Sequence, residues 1–162
     1  IDLQAWKKED RKISHYVKLE TKLHNEAALV AGLMDLGFTK DQIEIHVGEG
    51  SVIGGYDSTD KNRRANVIVR RKHLSNAYND IGFKMKKDGT YEIFISDMGM
   101  HNNSAKKNKL TEKMTGFNQQ WLDALAQRHS ANVIKHKAEE LGFSFQESYV
   151  DGKLVVVCDK SY

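Results

Sequence analysis

An α+β fold, a two-layer sandwich with two main helices on one face of a largely antiparallel sheet, is predicted by three features of this 162-residue sequence. Segments that alternate apolar and polar side chains are interleaved with two segments of helical period. Two Asp-Gly pairs, Asp88-Gly89 and Asp151-Gly152, sit between alternating runs, where they tolerate the positive φ values of tight hairpin turns. The helical segments end alike, in DLGF (35–38) and ELGF (140–143), each followed by strands. That shared order points to a strand-helix-strand-strand unit present twice, and the layered arrangement leaves the second sheet face for solvent or a partner.

The elements follow in order. Residues 1–13 show no strong period and form an N-terminal extension with Trp6 as an anchor, so a single domain occupies 14–162. HYVKLETKL alternates Val17, Leu19, Thr21 and Leu23 with charged neighbours, the pattern of a half-buried strand. Asn25 is placed to cap a helix whose stripe is Leu29, Val30, Leu33 and Leu36, and Gly37 supplies the stop. QIEIHV forms a second strand with Ile43, Ile45 and Val47 on one side, and GEGSVIGGYDSTDKN reads as a long mobile loop. NRRANVIVRRKH (62–73) is a third strand, and residues 81–86 and 91–96 form a hairpin. A basic mobile linker covers 99–117. The second helix spans about 118–140, with Leu122, Leu125, Ala126, His129, Val133 and Leu141 toward the core and Gly142 as its stop. A hairpin around Asp151-Gly152 closes the chain.

Composition sets outer limits. The chain is 40% hydrophobic and 29% charged, near globular averages, so a core forms without staples. A lone cysteine, Cys158, forms no internal disulfide, which fits a reducing compartment: cytoplasm, plastid stroma or infected-cell cytoplasm. No apolar run reaches the length of a membrane span, and none resembles a signal peptide. The formal charge is only +3, but residues 61–113 hold thirteen Lys/Arg against five Asp/Glu, a net of +8, leaving −5 elsewhere. Segregated positive charge raises the expectation of an anionic partner.

ISHYVKLETKL, NVIVRRKHLSNAYNDIGFKMKKDGTYEIFISD, QQWLDALAQRH and LGFSFQESYVDGKLVVV together resemble a family of small proteins known as a hypothetical chloroplast reading frame, a domain of unknown function. Members occur in cyanobacteria, algal plastids and bacteriophages. The resemblance covers most of residues 13–160, and the arginine-bounded strand with SNAYNDIGFK is its most specific part. Ile13 stands where the family usually begins with Met, and the linker at 99–117 is longer and more basic than the family pattern. The resemblance implies an architecture and no particular reaction.

The candidate site follows from the arginine-bounded strand. Alternation directs Ala65, Val67, Val69 and Arg71 one way and Arg64, Asn66, Ile68, Arg70 and Lys72 the other. With the valines toward the helices, Arg64 and Arg70 project from the open sheet face, and with Arg63, Arg71 and Lys72 they form an anion platform or, on the plainer reading, merely solvated strand ends. Asn76, Asn79 and Asp80 either cap a turn or orient Arg70 and Arg71. Tyr56, in the glycine loop, is placed to stack on a base, although that loop lacks the Walker sequence. Arg128, at the start of the second helix, is expected at the same surface.

Other chemistries have little support. No histidine pair has metal-ligand spacing with carboxylates, His129 and His136 reading as boundary residues of one helix face, so no metal and no cofactor is expected. No nucleophile elbow or paired-acid signature is present. The leading expectation is a non-enzymatic binding or regulatory module contacting RNA or a nucleotide-like ligand through the arginine-bearing face. A protein-interaction factor gripping an acidic surface, and an enzyme on a small ligand lined by Tyr56, Asn79, Asp80 and Arg128, are the alternatives.

Overall fold

The chain enters its main sheet as β1 (Tyr16–Glu20), crosses one face as helix α1 (Glu26–Asp35) and returns at the far edge as β2 (Ile43–Ile45). A short ribbon follows, β3 (Ser51–Val52) and β4 (Arg64–Ala65), and then β5 (Val67–Val69), β6 (Ile81–Met85) and β7 (Tyr91–Ser96) fill the sheet between its edges. Helix α2 (Gln119–Leu141) and the hairpin β8 (Phe143–Val150) and β9 (Lys153–Lys160) complete the order. These elements come from a computed structural model that describes residues 16–55, 62–74, 79–96 and 108–160. Strand order in the main sheet is β1-β7-β6-β5-β2, with every neighbouring pair antiparallel. The fold is α+β, with both helices layered on one face.

Local chemistry sets the helix ends. The Asn25 side chain accepts a hydrogen bond from the Ala28 amide at 2.9 Å, and Asn118 accepts one from Trp121 at 3.3 Å, each satisfying an amide that has no partner within the first turn. Gly142 ends α2 in the left-handed region at φ 78°. At the tip of β6–β7 the Asp88 carboxylate accepts from the Thr90 amide, and the closing hairpin turns through Asp151 and Gly152, both at positive φ.

The main core lies between sheet and helices. Leu29, Leu33 and Leu36 from the first helical segment meet Val67, Val69, Phe83, Ile93 and Ile95 from the sheet and Trp121 and Leu125 from α2. Residues 108–117, expected within a mobile linker, are packed instead: Met114 and Phe117 are buried, and Phe117 meets Trp121 edge-on with centroids 4.9 Å apart. The Asn108 side chain donates to the Asp35 carbonyl at 2.7 Å and pins this segment to the end of α1.

Two expectations about strand faces are corrected. Ile45 and Val47, expected to face the core with Ile43, are exposed, because β2 is an edge strand that stops at Ile45. The third strand breaks at Asn66: β4 leaves to pair with β3, while β5 stays in the sheet. Asn66 holds the break by donating to the carbonyls of His46 and Gly48 at 3.0 and 2.9 Å and accepting from the Met85 amide at 2.9 Å. One extra residue, whose amide shares Phe83 with Val67, inverts the alternation. Ala65 therefore packs with Ile53, Ile68 and Phe94 in a second cluster on the face away from the helices, opposite to Val67 and Val69. The sheet face expected to be open is covered there by the β3–β4 ribbon.

The repeated order in the sequence builds two different things. After α1 the chain rejoins the main sheet, whereas after α2 the strands β8 and β9 pair only with each other among the described residues. On α2, the buried positions are Trp121, Leu125, Arg128, His129, Ala131, Asn132 and Ala138, while Ala126 and Leu141 of the expected stripe are exposed.

Candidate functional site

Arg70 follows the last residue of β5, on the ribbon side of the sheet, and its guanidinium is fully engaged. Nε and one terminal nitrogen donate to the two oxygens of Glu44, both at 2.9 Å. The remaining donors reach Ser51 Oγ at 3.2 Å, the Val52 carbonyl at 2.9 Å and Asp80 Oδ2 at 3.1 Å. Five N–H groups meet five acceptors, so none is left for an incoming phosphate. Glu44 accepts a further bond from His46 at 2.8 Å, and the Arg70 bonds, then His46, hold its carboxyl down at about 2. The sequence expectation that Arg70 projects freely is corrected: it clamps the ribbon to the sheet edge.

Asp80 extends the clamp. Its two oxygens accept from the amides of Arg71 at 2.8 Å and Gly54 at 3.1 Å, and its own amide donates to the Gly54 carbonyl at 2.9 Å. Neighbouring Asn79 is buried and its backbone bridges to Gly55. Both residues tie the glycine loop inward. The amides of Gly50, Ile53 and Gly54 donate to Val47, Arg63 and Asp80, so these three are not available to cradle a phosphate.

Around this clamp the other basic residues divide into three settings. Arg63 lies over the rings of Tyr16 and Phe94, 5.0 and 5.1 Å from their centroids. Burial, chiefly, raises the Tyr16 phenol well above its usual range, and its hydroxyl donates to the Gly54 carbonyl at 3.1 Å. Arg64 is exposed and donates to the Gly50 carbonyl at 3.0 Å. Arg71 and Lys72 stand on a single 3₁₀ turn, Arg71–His73, both exposed, and their side chains make no hydrogen bond or ion pair with a described residue. The backbone of that turn is held by Asp80, while its two cationic side chains point into solvent. Tyr56 lies outside the described residues, as do Asn76, residues 1–13 and the 99–107 part of the linker.

Arg128 sits elsewhere. Its guanidinium is buried in the helix layer, bonded to Asp35 Oδ2 at 3.0 Å and to both oxygens of Glu147 at 3.0 Å. Asn132 joins Asp35 at 2.8 Å. Burial opposes the charge, but the contacts from Glu147, Tyr149 and Asp35 win, and the guanidinium is held even more firmly protonated. The expectation that it shares a surface with the strand arginines is corrected: it joins α1, α2 and β8 on the opposite side of the sheet.

A second interhelical node was not anticipated. Nε2 of buried His129 accepts from the amides of His24 and Asn25 at 3.3 and 3.2 Å, at the entry to α1. Burial first, and the nearby His24, push its pKa down to about 4, so it stays neutral and keeps its acceptor lone pair. Sequence reasoning placed His129 on the core side but had no signal for a contact spanning more than a hundred residues. Glu44 was similarly hidden as a partner of Arg70, although Glu44 and His46 lie on one side of β2 by simple alternation; Asp80, one of the residues expected either to cap a turn or to orient Arg70 and Arg71, bonds to both.

Among the described residues no group of three His, Cys, Asp or Glu side chains is arranged to hold a metal ion, and no helix is long and apolar enough to cross a membrane. Fold and site together define a small α+β protein whose charged clusters mostly hold layers together, with a short basic turn held outside them. Over residues 32–157 the sequence matches the family described as protein of unknown function, DUF1257, and the chain belongs to that family. No curated protein and no solved structure matches it.

Proposed function

We infer that the protein is a non-enzymatic binding or regulatory module that contacts the phosphates of RNA or a nucleotide-like ligand. The supporting observation is the Arg71–His73 turn: Arg71 and Lys72 are exposed, without side-chain partners among the described residues, on a backbone that Asp80 holds to the Arg70 clamp. Cations spent in ion pairs gain little by meeting a phosphate, because the existing pair must first be broken; cations held in place and unspent gain most. Arg64, exposed on the adjoining ribbon, extends the surface, and the sequence around the turn carries the net +8. On the flat sheet Lys18 pairs with Glu92 and Lys86 with Glu20. The contact surface is therefore the loop end of β5 rather than the flat sheet.

Fluorescence anisotropy with a labelled single-stranded RNA tests this. Affinity should fall with rising salt, and Arg71→Ala and Lys72→Ala should each weaken binding and flatten the salt slope by about one ion. Salt-insensitive binding, or affinity unchanged in the double variant, overturns the reading.

A further inference from the structure

The hairpin β8–β9 is the least covered part of the described structure. Two strands of eight residues stand apart from the main sheet, packed on one side against α2. Val150, Val155 and Val157 on the other side are 53, 40 and 47% exposed. A two-stranded hairpin is marginal by itself, and a long apolar edge without proline or bulge is a template for another strand.

The edge of β9 has a specific self-complementarity. The two-residue turn makes Val150 and Lys153 a hydrogen-bonded pair, so bonding alternates from there. Lys153, Val155, Val157 and Asp159 direct their backbone groups toward β8; Leu154, Val156 and Cys158 direct theirs outward, where no described strand receives them. We propose that β9 pairs antiparallel with β9 of a second copy of this chain, about a two-fold axis at Val156, to form a four-stranded sheet across a homodimer.

In that register Leu154 faces Cys158 of the second copy, Val155 faces Val157, and Lys153 faces Asp159, twice over by symmetry. The neighbouring registers that keep the outward groups bonded are two residues away. One sets Asp159 against Asp151, and the other sets Val155 against Asp159. Charge therefore selects the register centred on Val156. Within one chain Lys153 opposes Val150 and Asp159 opposes Ser144, so neither has an opposite charge across the hairpin.

A groove of about 500 Å³ runs between α2 and β9, lined by Ala131, Ile134, Leu154 and Val156. It opens on the β9 side of the helix, where the side chains of the outward-bonding residues project. A second copy's strand at this edge would close it and cover Ile134, 42% exposed in the single chain.

Sedimentation equilibrium on the full chain reads the proposal. Wild type should sediment at twice 18.4 kDa at micromolar concentration. Asp159→Lys, which sets lysine against lysine, should weaken the dimer at least tenfold, and the double swap Lys153→Asp with Asp159→Lys should restore it, with circular dichroism unchanged throughout. A monomer at all concentrations overturns the proposal. So does a dimer indifferent to Asp159→Lys, or one not rescued by the swap, which puts the interface elsewhere. A different protein held stoichiometrically in place of the second copy also overturns it.

Discussion

Asp35, the last residue of α1, and Arg128, near the middle of α2, are joined by an ion pair of 3.0 Å, and the same guanidinium closes on Glu147 of β8. Three elements, one of them far from the other two in sequence, are thus fixed at one cation whose side chain is only 9% exposed. Arg128→Met leaves two carboxylates facing each other without it. Removing one member of a fully buried pair costs about 3–5 kcal/mol; with both acids about a third exposed, roughly 2–3 kcal/mol is expected here, read from the urea midpoint.

Arg70 and Arg71 are adjacent, yet their substitution should have opposite signatures. Arg70→Ala strips five bonds from the ribbon clamp and should lower stability by about 1–3 kcal/mol, discounted because Glu44 is partly exposed. Arg70→Lys should recover little, since an ammonium does not make the paired contact with Glu44. Arg71→Ala should leave stability within about 0.5 kcal/mol and lose RNA affinity. Paired denaturation and anisotropy measurements separate the two.

Acid should loosen the helix pair through His129. Its folded pKa, about 4, lies below the ordinary 6.5, so the folded state favours the neutral ring. The contribution is complete above about pH 6.5 and is lost as pH falls toward 4, to a limit of roughly 2–3 kcal/mol. Protonation turns an acceptor into a donor facing the amides of His24 and Asn25. His129→Leu should remove this part of the pH dependence in stability curves taken between pH 4 and 7, while lowering stability at neutral pH.

Gly82 tests the ribbon layer. A Cβ built there would lie 2.7 Å from the Ala65 Cβ and 2.8 Å from the Ile53 Cδ1, atoms that ride on the ribbon covering the sheet. Gly82→Ala should push that layer off and cost about 1–3 kcal/mol, visible as a lowered thermal midpoint. Combining it with Ile53→Val should recover part of the loss, by making room on the ribbon side.

Much of this fold was legible in the sequence. Asn25, Gly37, Asn118 and Gly142 bracket both helices, and both Asp-Gly pairs turn hairpins, because caps and tight turns depend on a few consecutive residues. The site was less legible. Asn66 reads as one more alternating position in NRRANVIVRRKH, and only its bonds to His46, Gly48 and Met85 reveal a break that inverts the faces. Arginines likewise look alike in sequence: Arg70 and Arg128 hold layers together, while Arg71 and Lys72 have exposed side chains with no described partner.

By itself the sequence determined the α+β class, the helix limits, the hairpins and the concentration of positive charge, all consequences of spacing along the backbone. The tertiary structure decided which charges are spent. A guanidinium's partners lie up to 26 residues away for Arg70 and up to 93 for Arg128, and no local pattern records whether a carboxylate from elsewhere arrives within bonding distance. It also decided that one sheet face is covered and that the last hairpin stands apart, since both depend on where the chain returns in space.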